Sequence, residues 1–171
     1  MRLSNFSLLM LAGLLAACSD SDTGANTGAG GAAMGAGVGA GMGAGGYAAG
    51  RGVPGSEEDL VQTVGDRVYF TTDQSTLNDD ARATLAKQAA WLQRYPSVNI
   101  VIAGNCDERG TEEYNLALGQ RRAAADSDYL AAHGINPGRL QTISYGKARP
   151  TDPGSTQEAW AKNRNAITAV R

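Results

Sequence analysis

The chain has 171 residues, a length that suits one domain of ordinary size with attached segments. Its formal net charge is −2, so no basic excess is present to release counterions from a nucleic acid, and no nucleic-acid partner is expected. The two cysteines, Cys18 and Cys106, lie in settings too different to form a disulfide framework or a metal pair. We therefore predict no metal and no other cofactor.

Residues 1–17 have the layout of a secretory signal peptide. The apolar stretch 6–15 is too short to span a membrane as a helix. Residues 15–18, Leu-Ala-Ala-Cys, resemble the lipobox of bacterial lipoproteins, whose cysteine becomes the lipidated N-terminus. This resemblance implies a lipid on Cys18, and Ser19 in place of an aspartate implies transfer to the outer membrane. The alternative is an ordinary signal peptide followed by an incidental cysteine.

Residues 18–55 are predicted to form a flexible linker rich in glycine and alanine. Between Thr23 and Gly50 the linker has no charged residue. Such a chain cannot bury enough apolar surface to offset the loss of backbone entropy, so disorder is expected. A coil of this length has an r.m.s. span of roughly 33 Å. The alternative is a helix of small residues packed in a bilayer, which dense glycine disfavours by about 1 kcal/mol per residue relative to alanine.

Residues 56–171 have a globular composition in which strand and helix patterns alternate. Strands are predicted at 66–71, 98–103, 140–145 and 165–170, and helices at 79–95, at 112–133 and after Ser155 or Thr156. The apolar run 98–103 favours a central strand covered on both faces. This order predicts a two-layer α/β (α+β) domain with helices packed on one face of a four-stranded mixed sheet.

The turn after the second predicted strand and the helix that follows it contain the candidate site. Asn115, Gly119 and Arg122 are spaced by four and three residues, so they lie on one stripe of the helix. Because glycine costs about 1 kcal/mol in a helix, Gly119 is expected to clear room for a ligand or for a close backbone. Arg122 can grip a carboxylate through two parallel hydrogen bonds, and Asp107 can pair with an ammonium.

The alternative interpretation of these charges is a surface ion-pair network without a ligand. Charged helix faces are common, and spacing alone does not separate the two interpretations. The side chains of such a network would be Asp107, Glu108, Arg109, Arg121 and Arg122.

A family resemblance favours the binding site. Residues 104–123, with the unbroken segment Asp-Glu-Arg-Gly-Thr, resemble the signature of the peptidoglycan-associated lipoproteins, within the wider OmpA C-terminal-like family. Further matches are Val68-Tyr69-Phe70, Ser144-Tyr145-Gly146-Lys147 with Pro150, and Lys162-Asn163-Arg164. The resemblance implies an OmpA-like fold and non-covalent binding of peptidoglycan through the diaminopimelate of its stem peptide.

The resemblance also implies which residues bind the ligand. They are Asp107, Arg122, Asn115, Leu116, Asn105 and Arg164. Asn105 stands where many relatives have histidine, so it retains a donor and an acceptor but removes a pH response. Thr71-Thr72 after Phe70 stands where an aspartate is common, which leaves the part played by this entry loop open.

The family further implies a protein partner, TolB, together with other components of the Tol–Pal system. In that system the peptidoglycan and TolB surfaces overlap, and the function is envelope integrity and outer-membrane constriction at cell division. The alternative within the superfamily is a wall-binding lipoprotein outside the Tol–Pal system.

An enzyme that processes peptidoglycan is a further alternative. The single histidine, His133, lies beside Gly134 at a predicted helix end, where it meets the helix dipole rather than a nucleophile. Cys106 adjoins Asp107, which raises the pKa expected for the thiol. Asp107 and Glu108 are neighbours in sequence and seldom flank one glycosidic bond. We therefore predict a binding protein without catalytic residues.

Overall fold

The computed structural model describes residues 52–171. The predicted signal peptide, Cys18 and most of the predicted linker lie outside the described residues, so the boundaries after residues 17 and 55 stay predictions. The elements in chain order are α1 Glu57–Thr63, β1 Arg67–Tyr69, α2 Asp79–Arg94, β2 Ile100–Asn105, α3 Glu112–Ala132, a 3₁₀ turn Pro137–Arg139, β3 Leu140–Gly146, α4 Gln157–Asn163 and β4 Asn165–Val170.

The four strands form one mixed sheet in the order β1-β4-β2-β3. Strands β2 and β3 are parallel because α3 carries the chain back between them. Strand β4 lies between β1 and β2 and runs antiparallel to both. The predicted two-layer α+β architecture with a four-stranded mixed sheet is confirmed.

Helix α1 was not predicted, because the sequence interpretation took the acidic residues after Ser56 only as the return of charged composition. Ser56 is its N-cap and accepts a hydrogen bond from the backbone N–H of Asp59 at 3.3 Å. The helix has seven residues, and Leu60 is completely buried. Asp59 also accepts from the indole N–H of Trp91 in α2 at 2.9 Å, which fastens the short helix to the core.

Strand β2 is central, as predicted, but its two faces are not equally covered. Ile100 and Ile102 are buried, whereas Val101 and Ala103 are partly exposed. The expectation of cover on both faces was therefore wrong. The burial alternates along the strand, as in a sheet with helices on one face.

Helix α2 provides much of the core beneath the sheet. Its N-cap is Asn78, one of the two predicted candidates, whose side chain accepts from the N–H of Ala81 at 2.8 Å. The predicted core positions Leu85, Ala89 and Leu92 are at most 3% exposed. Within residues 52–171, no helix combines the length and the apolar composition needed to cross a bilayer.

Two glycines bring α3 against the end of β2. A Cβ on Gly104 would overlap the carbonyl oxygen of Gly119. A Cβ on Gly119 would lie 2.8 Å from the carbonyl oxygen of Gly104 and would overlap the hydroxyl of Ser144. Of the two roles considered for Gly119, the structure supports close backbone packing. This contact sets where the first turns of α3 lie relative to the preceding loop.

Candidate functional site

The turn between β2 and α3 is held by α3 itself. Thr111 is the N-cap of α3, and its hydroxyl accepts from the N–H of Tyr114 at 3.2 Å. The side-chain amide of Asn115 donates to the carbonyls of Arg109 at 2.7 Å and Thr111 at 3.1 Å. Asn115 is 2% exposed, so it fixes the turn from below.

Asp107 lies at the centre of a set of charge-assisted hydrogen bonds. Its Oδ1 accepts from the backbone N–H and Nε of Arg109 at 3.2 and 3.1 Å. Its Oδ2 accepts from Arg109 Nη2 at 2.7 Å and from Arg164 Nη1 at 3.3 Å. Burial, the largest single influence, raises the pKa of Asp107, but these bonds together outweigh it and hold the pKa below its ordinary value.

Arg122 is completely buried and does not belong to a surface ion-pair network. Nε donates to the carbonyl of Gln74 at 2.9 Å, Nη1 to that of Asn105 at 2.7 Å, and Nη2 to that of Thr71 at 3.2 Å. The guanidinium also lies 5.1 Å from the ring centre of Phe70. Nη1 also donates to Cys106 Sγ at 3.5 Å, so four of the five N–H groups are used, and Arg122 in this arrangement lacks two free parallel N–H groups for a carboxylate.

Asn105 and Arg164 connect the site to strand β4. Asn105 is 3% exposed and donates to the side-chain oxygen of Asn165 at 2.8 Å. Arg164 donates from Nε to the carbonyl of Phe70 at 3.1 Å, in addition to its bond with Asp107. Arg164 therefore joins the entry loop to the turn, whereas Asn105 lies beneath the site.

Two clefts meet at the turn. The outer cleft is open to solvent and is lined by Thr72, Asp73, Asp107, Arg109, Gly110 and Tyr114. The inner cleft is smaller and is lined by Asp73, Cys106, Asp107, Asn115, Leu118, Arg122 and Arg164. Four of the six predicted ligand residues thus line the inner cleft. Leu116 is 41% exposed and, like Asn105, lines neither cleft.

The sequence did not predict Asp73 as a site residue, because an acid in the entry loop was expected only at the positions of Thr71 and Thr72. It lies in both clefts, with a positive φ of 57°, and its Oδ1 accepts from the hydroxyl of Tyr114 at 3.3 Å. Aspartate is one of the few non-glycine residues that tolerate this conformation. An aspartate within the turn after β1 was therefore the available signal.

Trp160 in α4 was also missed. The guanidinium carbon of Arg109 lies 4.4 Å from its ring centre, and its indole N–H donates to Glu108 Oε1 at 2.9 Å. Its place in the site depends on the tertiary fold, because it lies 52 residues after Glu108 in the sequence. No local sequence pattern points to it.

The groups considered for catalysis lie in unsuitable surroundings. Cys106 is 3% exposed, and burial, as the largest influence, raises the pKa of its thiol. His133 ends α3 as predicted, and its Nδ1 donates to the carbonyl of Tyr129 at 2.8 Å. Among residues 52–171, no group of histidine, cysteine, aspartate and glutamate could hold a metal ion.

Known proteins share both the sequence and the fold of this chain. A sequence profile described as the OmpA family matches residues 69–164. The chain belongs to the OmpA family. The peptidoglycan-associated lipoprotein of Brucella melitensis is 52% identical over 125 residues, which are 73% of this chain and 74% of that protein. Its counterpart from Rhizobium meliloti is 50% identical over 125 residues, which are 73% of this chain and 71% of that protein.

A solved structure of this family agrees with the fold. The peptidoglycan-associated lipoprotein from Burkholderia pseudomallei has a TM-score of 0.62 and 36% identity, over 66% of this chain and 100% of that one. The resemblance identified in the sequence is therefore confirmed. These relatives are named peptidoglycan-associated lipoproteins and belong to a family of binding proteins, which agrees with the prediction of a binding protein rather than an enzyme.

Proposed function

We propose that this chain is an outer-membrane lipoprotein that binds peptidoglycan non-covalently through the diaminopimelate of the stem peptide. The observation that carries the proposal is the outer cleft, where two carboxylates and one guanidinium line one open surface. A free end of diaminopimelate has one ammonium and one carboxylate, so its charges complement those of the cleft. The names of the Brucella and Rhizobium relatives, both peptidoglycan-associated lipoproteins, support peptidoglycan as the ligand.

In this proposal Asp107 pairs with the ammonium, and the ligand carboxylate is attracted by the positive charge of Arg122. Both residues line the inner cleft, which adjoins the outer cleft through Asp73 and Asp107. Asn115 holds the turn that contains Asp107 by donating to the carbonyl of Arg109, and Arg164 donates directly to the carboxylate of Asp107.

The remaining predicted residues act at the margins of the site. Leu116 supplies an exposed apolar contact for the stem peptide. Asn105 supports the site from beneath, because its backbone carbonyl accepts a hydrogen bond from Arg122.

Binding to isolated sacculi tests the assignment. We expect Asp107→Ala to abolish co-sedimentation with sacculi while the far-UV circular dichroism stays unchanged. Arg122→Ala should abolish it as well, but with a lower melting temperature, because three backbone carbonyls lose their donor. The exposed Arg121 provides the matched control, Arg121→Ala. Full binding by the Asp107 variant would overturn the assignment.

The anchor in this proposal is a lipid on Cys18 and the linker that follows. Each buried CH₂ of the lipid contributes about 0.8 kcal/mol, so more than one chain makes anchoring stable. The linker, predicted from its composition to be a coil with an r.m.s. span of roughly 33 Å, would then let the domain reach a wall beneath the outer membrane. Metabolic labelling with palmitate should mark the parent protein and not the variant Cys18→Ser. Equal labelling of both would exclude the anchor.

The proposed protein partner is TolB, within the Tol–Pal system that supports envelope integrity and outer-membrane invagination during cell division. The support is the resemblance of the whole turn and helix α3 to the peptidoglycan-associated lipoproteins. If the two binding surfaces overlap, a diaminopimelate-containing fragment should displace TolB from the chain in a calorimetric titration. An absence of TolB binding would favour a wall-binding lipoprotein outside Tol–Pal.

A further inference from the structure

Asp126 is a buried acid in the middle of α3 that the proposed binding site does not use. It is completely buried, and within residues 52–171 neither of its carboxyl oxygens has a hydrogen-bond partner. It follows Arg122 by four residues, so the two side chains lie on one stripe of the helix, one turn apart. Because a buried carboxylate without donors is costly, the acid stays neutral at neutral pH, and burial raises its pKa to about 8.

The elements packed against α3 present no charged side chain to Asp126. These elements are α2 and strands β2, β3 and β4. Strands β2 and β4 contain no ionisable residue, and β3 contains only Tyr145. The ionisable residues of α2 are all exposed and are Asp79, Asp80, Arg82, Lys87 and Arg94.

On α3 itself, Arg122 is the only buried group within four residues of Asp126 that carries a charge. The other ionisable residues in that range are Asp128, which is exposed, and Tyr129, which is partly buried. Of all these groups, Arg122 is therefore the one cation that an ionised Asp126 can pair with inside the domain.

Arg122 has two alternative sets of acceptors. In the structure it supports the entry loop, because Nε donates to the carbonyl of Gln74 at 2.9 Å and Nη2 to that of Thr71 at 3.2 Å. An ionised Asp126 would compete with these neutral carbonyls, since opposite charges attract strongly where water is excluded. Side chains four residues apart on a helix are neighbours, so rotation of the Arg122 side chain is enough to exchange one set for the other.

We propose that Arg122 and Asp126 form a pH-sensitive switch, in which ionisation of Asp126 draws the guanidinium away from Thr71 and Gln74 and releases the entry loop. This loop contains Asp73, which lines both clefts. The new ion pair also cancels the positive charge of Arg122 that attracts the ligand carboxylate. Binding of peptidoglycan therefore weakens as pH rises through about 8. That consequence rests on the proposed function, whereas release of the loop does not.

Carbon-13 NMR of the full chain in detergent tests the switch between pH 6.5 and pH 9.5. The carbonyl carbons of Thr71 and Gln74 should shift with the same midpoint, near pH 8, as the carboxyl carbon of Asp126. In Asp126→Asn, which cannot ionise, the two carbonyl carbons should not shift over this range. Asp128→Asn is the matched control and should titrate like the parent, because Asp128 is exposed on the same helix.

Two outcomes of the titration would overturn the switch. In the first, Asp126 ionises while the carbonyl carbons of Thr71 and Gln74 stay unchanged, so Arg122 has not moved. In the second, both carbonyl carbons shift equally in the parent and in Asp126→Asn, so another group causes the change.

Co-sedimentation with sacculi at pH 7 and pH 9 tests the effect on binding. About nine-tenths of the parent domains are in the protonated form at pH 7 and about one-tenth at pH 9, so the affinity should fall about tenfold. The affinity of Asp126→Asn should change by less than about twofold. Equal losses in both chains would overturn the regulation of binding. A parent chain that does not bind at pH 7 would overturn the proposed function, and the NMR titration would still decide the switch.

Discussion

Asp107 in the turn and Asp126 in helix α3 are both buried, yet their surroundings differ completely. Asp107 is 7% exposed and accepts hydrogen bonds from Arg109 and Arg164. Asp126 is completely buried, and within residues 52–171 neither of its carboxyl oxygens has a hydrogen-bond partner. The pKa of Asp107 is below its ordinary value, whereas burial raises the pKa of Asp126 to about 8. The presence of hydrogen-bond donors, rather than the degree of burial, therefore decides whether each carboxyl group is charged.

The direction of side chains on α3 explains the difference. Side chains on a helix lean toward its N-terminus. Arg122, one turn before Asp126, therefore extends toward the loop carbonyls of Thr71 and Gln74 and away from Asp126. Hydrogen-bond donors are therefore found at the N-terminal end of α3, near the site, whereas Asp126 in the middle of the helix has none and stays protonated at neutral pH.

Replacing Asp126 should produce the largest effect on stability. Between about pH 4 and pH 8 the unfolded chain has released this proton and the folded chain retains it. The free energy of unfolding therefore falls as pH rises, by about 1.4 kcal/mol per unit and on the order of 5 kcal/mol in total. Asp126→Asn should remove this slope, so that its advantage over the parent is large at pH 8 and absent near pH 3.

Urea unfolding at a series of pH values measures this slope. Asp128→Asn is the control, because Asp128 is exposed on the same helix. If the parent and Asp126→Asn lose stability equally between pH 4 and pH 8, Asp126 is not protonated in the fold.

Arg122 is a buried cation whose guanidinium nitrogens all donate to backbone carbonyls, in contrast to the buried Asp126, which has no hydrogen-bond partner within residues 52–171. Arg122→Met should lower the free energy of unfolding by roughly 3 kcal/mol, because three backbone carbonyls would lose their donor. Arg121→Met should change it by less than about 0.5 kcal/mol at its exposed position. Equal effects in urea unfolding would mean that Arg122 is not the support of the entry loop.

Most of the fold could be predicted from local sequence signals. The cap at Asn78 and the periodic apolar residues after it marked α2, and β4 was predicted with the bounds that the structure has. Helix α1 was missed because seven residues with only Leu60 completely buried give no helical period. Burial of β2 on both faces was predicted wrongly, because a run of apolar residues does not show which face of the strand is exposed to solvent.

The site could be predicted only where it is local in sequence. Helix spacing correctly placed Asn115, Gly119 and Arg122 on one stripe, but the stripe is buried. Leu118 and Ala123 beside these residues were the available signal of burial. Asp73 and Trp160 come from loops and helices far along the chain, so their proximity depends on the tertiary fold.

Asp107→Asn should have a smaller effect on stability than the two previous changes. The pKa of this group is lowered in the fold, so its stabilisation is present above the unfolded pKa of about 3.8 and is lost as pH falls through the lower folded value. At pH 7 the variant should lose about 1 kcal/mol, since solvent screens the partly exposed Arg109. The variant should also lose less stability than the parent as pH falls below about 4 in urea unfolding. If the variant and the parent lost stability equally below about pH 4, the ionised carboxylate of Asp107 would not stabilise the fold.

Removing the donors one at a time should move Asp107 toward the condition of Asp126, with the smallest effect on stability. Arg109→Gln and Arg164→Gln should each raise the pKa of Asp107, and Arg109→Gln should raise it further because the Arg109 side chain donates two hydrogen bonds to this carboxylate and that of Arg164 donates one. Carbon-13 NMR titration of the carboxyl group measures both values, with Arg121→Gln as the control. If neither variant raised the pKa, the arginines would not be what separates the two aspartates, and the backbone N–H groups of the turn would have to hold the charge.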